Sequence, residues 1–410
     1  MPQFRFQNRR RERAGLRGWL IAGLLVGWIM SVFVPVALAQ APSLEKDAAP
    51  AVGQAPVTAQ QMLDYRQKLA DYTTARQKFE AEAGPYWASI AAMRKARNLK
   101  RSGGQPIVLE DYVLTQPPTY TGPRKPVDPS AIVSETLPNA LPVVADFLAN
   151  ALAQFQFQPR KPKSEVEFKK AYARVAAAAG LTKDQAVRIY GFEAGGNGKY
   201  DVQAGLEVDK PGAHAISTAL GYNQLLTTNS VELLAEQGDQ FVKSLKARAA
   251  GMTGPQELEM ERKIATLQAM ISVSRSVPDQ WAAHEQLGTT AGGLGIHALN
   301  LDLDIGPLLQ TQKLVNSVIF ARAKGYQAPL TAAELEMMNL TGDGNGFDMI
   351  SIAQAIRSQV PTSNFFAQSG YERNPVAIRN NVVSALLAAT DKKMDIEAEL
   401  PGARDLASVF

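Results

Sequence analysis

Thr182-Lys183-Asp184-Gln185-Ala186-Val187-Arg188-Ile189-Tyr190-Gly191-Phe192-Glu193-Ala194-Gly195-Gly196 reads as one capped helix with a carboxylate on its apolar face. Thr182 and Gln185 have the spacing of a capping box, in which each side chain satisfies the other residue's backbone N–H. Ala186, Ile189 and Tyr190 share a face, and Glu193 follows them at +7, +4 and +3. Gly195-Gly196 then stops the helix. A carboxyl on a buried face resists ionisation and holds its proton to higher pH, which suits a general acid. The rival reading is a helix-end Glu that reaches water past the glycines; position alone leaves both open.

The second informative stretch is Gly221-Tyr222-Asn223-Gln224-Leu225-Leu226, followed by Thr227-Thr228-Asn229-Ser230 and the apolar Val231, Leu233 and Leu234. It predicts a turn into a new helix with Thr228 or Asn229 as N-cap. Gly221 permits close approach of backbone or ligand. Tyr222 offers an aromatic plane, and Asn223 and Gln224 offer amides; sugars are bound by such groups. A turn with no ligand has the same composition.

Together the two segments resemble the lysozyme-like lytic transglycosylases that act on peptidoglycan. That family carries its catalytic Glu at a helix end, here Val187 to Ala194, and follows it with a Gly-Leu-Met-Gln motif leading into a Thr-Ala-containing helix. The counterparts are Gly221-Tyr222-Asn223-Gln224-Leu225, then Thr228 and Val231-Glu232-Leu233-Leu234-Ala235. A third family motif, Ala-Tyr-Asn-Ala-Gly, has a looser echo in Glu336-Met337-Met338-Asn339-Leu340-Thr341-Gly342. The sequence departs from the pattern in Ala194, where Ser is common, in Met338, where the family has Tyr, and in a longer interval between Glu193 and Gly221. The resemblance implies Glu193 as catalytic acid, with Gly221, Tyr222, Asn223, Gln224 and Asn339 binding substrate, and neither metal nor cofactor. It implies peptidoglycan glycan strands as partner and cleavage between N-acetylmuramic acid and N-acetylglucosamine. The alternative is a non-catalytic peptidoglycan-binding or scaffold protein of the same fold. A hydrolytic variant would need a second carboxylate, for which Asp201 and Asp343 are the candidates.

Around these motifs the pattern is helical. Thr331-Ala332-Ala333-Glu334 is a second capping box, Pro255 opens a helix to about Val277, and Asn374-Pro375 opens what reads as the last one. Strand-like alternation is nearly absent. The expected class is mainly α, with a lysozyme-like helical domain and at most a small sheet over 165–410. Before it, 59–164 reads as a helical hairpin and a Pro-rich strap. Met62, Tyr65, Leu69, Tyr72 and Phe79 mark the first arm, Gly84-Pro85 the bend, and Trp87, Ile90 and Met93 the second arm. The hairpin is expected to pack on the main domain; docking an envelope protein through 59–101 is its other use. The strap, punctuated by prolines from Pro106 to Pro162, holds one short helix near 141–155, and Tyr112, Val113 and Leu114 can dock it.

The N-terminus carries six Arg, an apolar run from Trp19 to Val36 and then Ala37-Leu38-Ala39, the form of a signal peptide over 1–39 with a flexible linker over 40–58. An uncleaved anchor is the rival reading. Of 43 basic and 39 acidic residues, six and one lie in 1–39, which leaves 37 against 38. The remainder is near neutral, so the sequence pI of about 9.0 gives no reason to expect nucleic acid. Export to the periplasm or envelope follows from the leader. Cysteine is absent, which excludes disulfides, thiol nucleophiles and thiolate metal sites. His214, His284 and His297 have no zinc-type spacing. The stretch 341–352 lacks the closing Glu of a calcium loop and reads as a Gly-rich turn; Asp302 and Asp304 read as caps or solvent-facing acids.

Overall fold

A computed structural model describes residues 57–130, 141–206 and 213–410. The expected leader over 1–39 and all but the end of the linker lie outside these residues. Among the described residues are fifteen α-helices and no sheet. The β pairing consists of isolated bridges at Gln203–Leu220, Leu220–Leu225 and Pro361–Val382. No helix of the described residues is long and apolar enough to cross a membrane.

In chain order, α1 (Ala59–Ser102) is followed by α2 (Val144–Phe155), α3 (Glu165–Ala178) and α4 (Lys183–Ala194). Then come α5 (Thr227–Ala249), α6 (Pro255–Ser274), α7 (Trp281–Gly288) and α8 (Ala291–His297). After α9 (Gly306–Ala323), α10 (Ala332–Thr341) and α11 (Asp343–Ile350), two short helices, α12 (Gln368–Glu372) and α13 (Pro375–Arg379), lead to α14 (Val383–Ala398) and α15 (Pro401–Ser408). Asn374 does cap a helix, accepting from Ala377 N at 2.9 Å, but that helix is α13 and not the last.

Two apolar clusters organise the molecule. One joins α3, α4, α10, α11, α14 and α15 around Phe168, Tyr172, Ile189, Leu335 and Met338. The other joins α2, α5, α6 and α8 around Phe147, Leu234, Phe241, Leu267 and Ile296. The helix α9 belongs to both: Leu309 is buried in the second cluster and Leu314 in the first.

The expected hairpin over 59–101 is corrected to a single helix of 44 residues that runs straight through Pro85. Proline removes the bond to the carbonyl four residues back, here that of Ala81, and both residues are exposed, so water replaces it. Phe79 and Ala83 before the proline, and Ile90 and Arg97 after it, are all buried, so both halves are anchored by packing. The C-terminal half packs on the main domain, as expected. Arg97 is fully buried; its Nε donates to Asp348 Oδ2 at 2.8 Å, and its guanidinium lies 4.4 Å from the Tyr112 ring centre. The strap docks beside it: Asn364 receives from Val113 N at 3.0 Å and donates to Val113 O at 2.8 Å.

Asp302 and Asp304 are buried, which corrects their solvent-facing alternative. Asp302 does cap the turn into α9, accepting from Asp304 N at 2.9 Å and Ile305 N at 3.1 Å. Lys263 Nζ reaches both carboxylates, at 2.8 and 2.5 Å, while Arg160 and Arg248 complete the cluster on Asp304. Burial alone would raise the Asp304 pKa, but these hydrogen bonds and charges outweigh it and hold the carboxyl well below the usual range. A lowered folded-state pKa gives stability that is full above the unfolded value and lost as pH falls through the folded one. The stability advantage of wild type over Asp304→Asn is therefore expected to shrink as pH falls below about 4, as followed by urea denaturation at pH 5 and pH 3.

Candidate functional site

The capping box predicted for α4 is formed: Thr182 Oγ1 accepts from Gln185 N at 3.1 Å, and Gln185 Oε1 accepts from Thr182 N at 3.0 Å. Gly195 and Gly196 end the helix with φ of 62° and 67°. A Cβ on Gly196 would meet Glu397 O at 2.5 Å, so only glycine lets α14 approach the end of α4 this closely. Glu193 is half-buried there and opens onto a groove of about 660 Å3.

Around the Glu193 carboxyl, Asn339 Nδ2 of α10 donates to Oε1 at 3.0 Å. Glu336, one helical turn before Asn339, is completely buried, and its carboxyl interacts with that of Glu193. Lys393 of α14 contributes positive charge, its ammonium 4.3 Å from the Phe192 ring centre. Burial raises the pKa of Glu193, opposed by the hydrogen bond with Glu336, the charge of Lys393 and the amide of Asn339. Glu336 is raised well above the usual glutamate range, first by burial and then by the neighbouring carboxyl. Both shifts favour the protonated forms of the two carboxyls.

The second motif forms a closed turn. Leu220 and Leu225 exchange backbone bonds of 3.0 Å in each direction. Gly221 has φ of 81°, and a Cβ there would lie 2.5 Å from Gln310 Nε2. The Gln310 amide fills the space and ties the turn to α9, donating to Leu220 O at 3.0 Å and accepting from Asn223 N at 2.8 Å. The predicted cap moves upstream: α5 starts at Thr227, and Asn229 reaches back to accept from Leu226 N at 3.1 Å.

Of the residues expected to bind substrate, Gln224 and Asn339 line the groove with Glu193. Gln224 adopts φ of 44°, a left-handed conformation that costs a non-glycine residue about 1 kcal/mol or more. Its Nε2 donates to Gly221 O at 2.8 Å and Val202 O at 3.2 Å. Gly221, Tyr222 and Asn223 do not reach the groove as expected and instead form the wall behind it. The Tyr222 ring is fully buried among Phe168, Tyr172 and Tyr190, with its hydroxyl bonded to Glu165, because three aromatic neighbours offer it more apolar contact than a groove could. Asn223 is sealed by Gln310 and by Tyr172, whose hydroxyl accepts from its Nδ2 at 3.0 Å.

Neither expected second acid joins Glu193. Asp201 lines a different concavity, and Asp343 Oδ1 accepts from Ser317 Oγ at 2.5 Å. Sequence reasoning missed Glu336, whose signal is a carboxylate between Leu335 and Met337 on an apolar helix. It also missed Trp281, which lines the groove while 47% exposed, and Lys313, which approaches from α9. The Gly-rich turn expected over 341–352 is the helix α11 instead. Among the described residues no group of three or more His, Asp or Glu converges as metal ligands would. The buried set Ser230, His297 and Asn300 forms no nucleophile: His297 Nε2 is engaged by Thr218 O at 2.9 Å, and burial lowers the ring's pKa to about 4. Comparison with protein-family models, curated proteins and solved structures finds no match for this chain.

Proposed function

We propose that the chain is an exported peptidoglycan lytic transglycosylase in which Glu193 acts first as acid and then as base. The observation that carries this reading is a proton-holding carboxyl opening onto a groove that also presents an exposed indole and the amides of Gln224 and Asn339. Amides match the acetamido and hydroxyl groups of an amino-sugar strand, and an indole face covers an apolar sugar face. Protonated Glu193 gives its proton to the glycosidic oxygen as the C1–O bond breaks and positive charge builds on the muramic ring. The resulting carboxylate takes the proton of the 6-hydroxyl, O6 bonds to C1, and a 1,6-anhydro ring closes. No water is consumed, and Glu193 is protonated again.

Glu193 is the one carboxylate among the described residues lining the groove. Hydrolysis with retention would call for a second one about 5–5.5 Å away across the substrate, and inversion for roughly 6.5–9.5 Å. Glu336 cannot serve, since it lies against Glu193 itself and is closed off from the groove. This favours the anhydro route over the hydrolytic one. Export to the envelope, where such strands occur, rests on the leader-like sequence of 1–39.

Digestion of purified peptidoglycan followed by mass spectrometry tests the proposal. Products one water lighter than hydrolytic muropeptides are expected; products of hydrolytic mass reject the anhydro route. Absence of products with retained glycan binding selects the non-catalytic alternative. Trp281→Ala is expected to weaken glycan binding about tenfold, roughly 1.4 kcal/mol, with the rate at saturation little changed. A saturating rate that falls while affinity holds would remove Trp281 from the binding surface.

A further inference from the structure

Neither oxygen of the buried Glu336 carboxyl accepts a hydrogen bond from any donor in the described residues. Asn339, one turn along α10, lies close enough to favour its charge slightly, but directs its N–H to Glu193 at 3.0 Å. An ionised carboxylate in this setting bears the full cost of lost hydration, with a second carboxyl beside it. A protonated one needs only an acceptor, and the Glu193 carboxyl is its neighbour: Asn339, one turn along the same helix, contacts that carboxyl at 3.0 Å, and the two carboxyls interact.

We propose that Glu336 is a positioning residue that keeps its proton throughout the reaction and donates that O–H to Glu193, aligning its carboxyl and stabilising the carboxylate formed when Glu193 protonates the sugar oxygen. The second half of this rests on the glycan-cleavage reading; the hydrogen bond does not. Glu336 and Asn339 stand three residues apart on α10, so one helix face presents two donors to one carboxyl. Of the charged groups around the pair, Lys393 of α14 adds attraction, and Glu397 of the same helix is held by Lys393 at 3.7 Å. Lys313 of α9 lines the groove. Glu336 neither gains nor loses a proton over the cycle; the proton that moves belongs to Glu193.

Infrared difference spectroscopy at pH 7 tests the donor without substrate. Wild type and Glu193→Gln are both expected to show a protonated-carboxyl C=O band that disappears when Glu336→Gln is introduced. No band lost means that Glu336 is ionised, and the proposal falls. Cleavage kinetics test the positioning. Glu336→Leu removes the O–H and is expected to slow cleavage by about 10- to 100-fold. It should also move the basic limb of the pH profile upward, because the Glu193 carboxylate loses a stabilising donor. Glu336→Gln retains an N–H donor and is expected to recover most of that loss; a role in packing alone would leave the limb in place in every variant, which would overturn the positioning role. If wild type cleaves no glycan while the band behaves as described, the functional reading fails and the protonated donor stands.

Discussion

Glu193→Gln is expected to lower peptidoglycan cleavage by about 10²- to 10⁴-fold, the range assigned to a positioned proton donor. The substitution preserves shape, and the new amide oxygen can still accept from Asn339, so the groove should persist. Stability should move the other way from activity. The folded-state pKa of Glu193 is raised, so between its unfolded and folded values the native state retains a proton that the unfolded chain has lost. Wild type therefore loses stability in that interval as pH rises, and the neutral variant does not. Relative to wild type, the Gln variant should gain stability as pH climbs above about 4.3, the ordinary glutamate value. Zymography paired with urea melts at pH 4 and pH 7 measures both effects. Unchanged clearing by the variant would reject Glu193 as the acid.

Arg97→Ala is expected to destabilise the protein by about 3 kcal/mol, toward the lower end for a broken buried pair. Arg97 and Asp348 are essentially unexposed, so deletion of the cation leaves a carboxylate with little access to water. Arg101, 2.5 Å from the other Asp348 oxygen, supplies partial compensation. Two backbone acceptors also lose the guanidinium: Asp111 O at 3.0 Å and Asn364 O at 3.4 Å. The double variant with Asp348→Ala should recover part of the loss, because the stranded charge is then absent. Urea unfolding of the three variants and wild type completes the cycle. A single variant as stable as wild type would show that the docking of α1 rests on its apolar contacts alone.

What can be read from the sequence is local, and what escapes it is tertiary. The cap at Thr182, the placing of Glu193 on an apolar stripe and the stop at Gly195-Gly196 all follow from contacts within a few residues, and the structure has each. The bend expected at Gly84-Pro85 does not form, because the cost of a proline depends on whether the freed carbonyl meets water, which only the packed helix reveals. Tyr222 and Asn223 carry groups suited to a sugar, but aromatic neighbours from α3 and α4 and the amide of Gln310 claim them first. Gln224, the next residue, has a left-handed backbone, stays half-buried and lines the groove. Glu336 lies in plain view as a charge among apolar neighbours, yet only the crossing of α4 and α10 explains why it is there.

The helix α9 anchors Leu309 in one apolar cluster and Leu314 in the other, with Lys313 between them on the groove. The two clusters thus share one helix, and moving one against the other would require bending that helix or emptying a packed interior. Widening the groove would therefore cost buried contacts on both faces of α9.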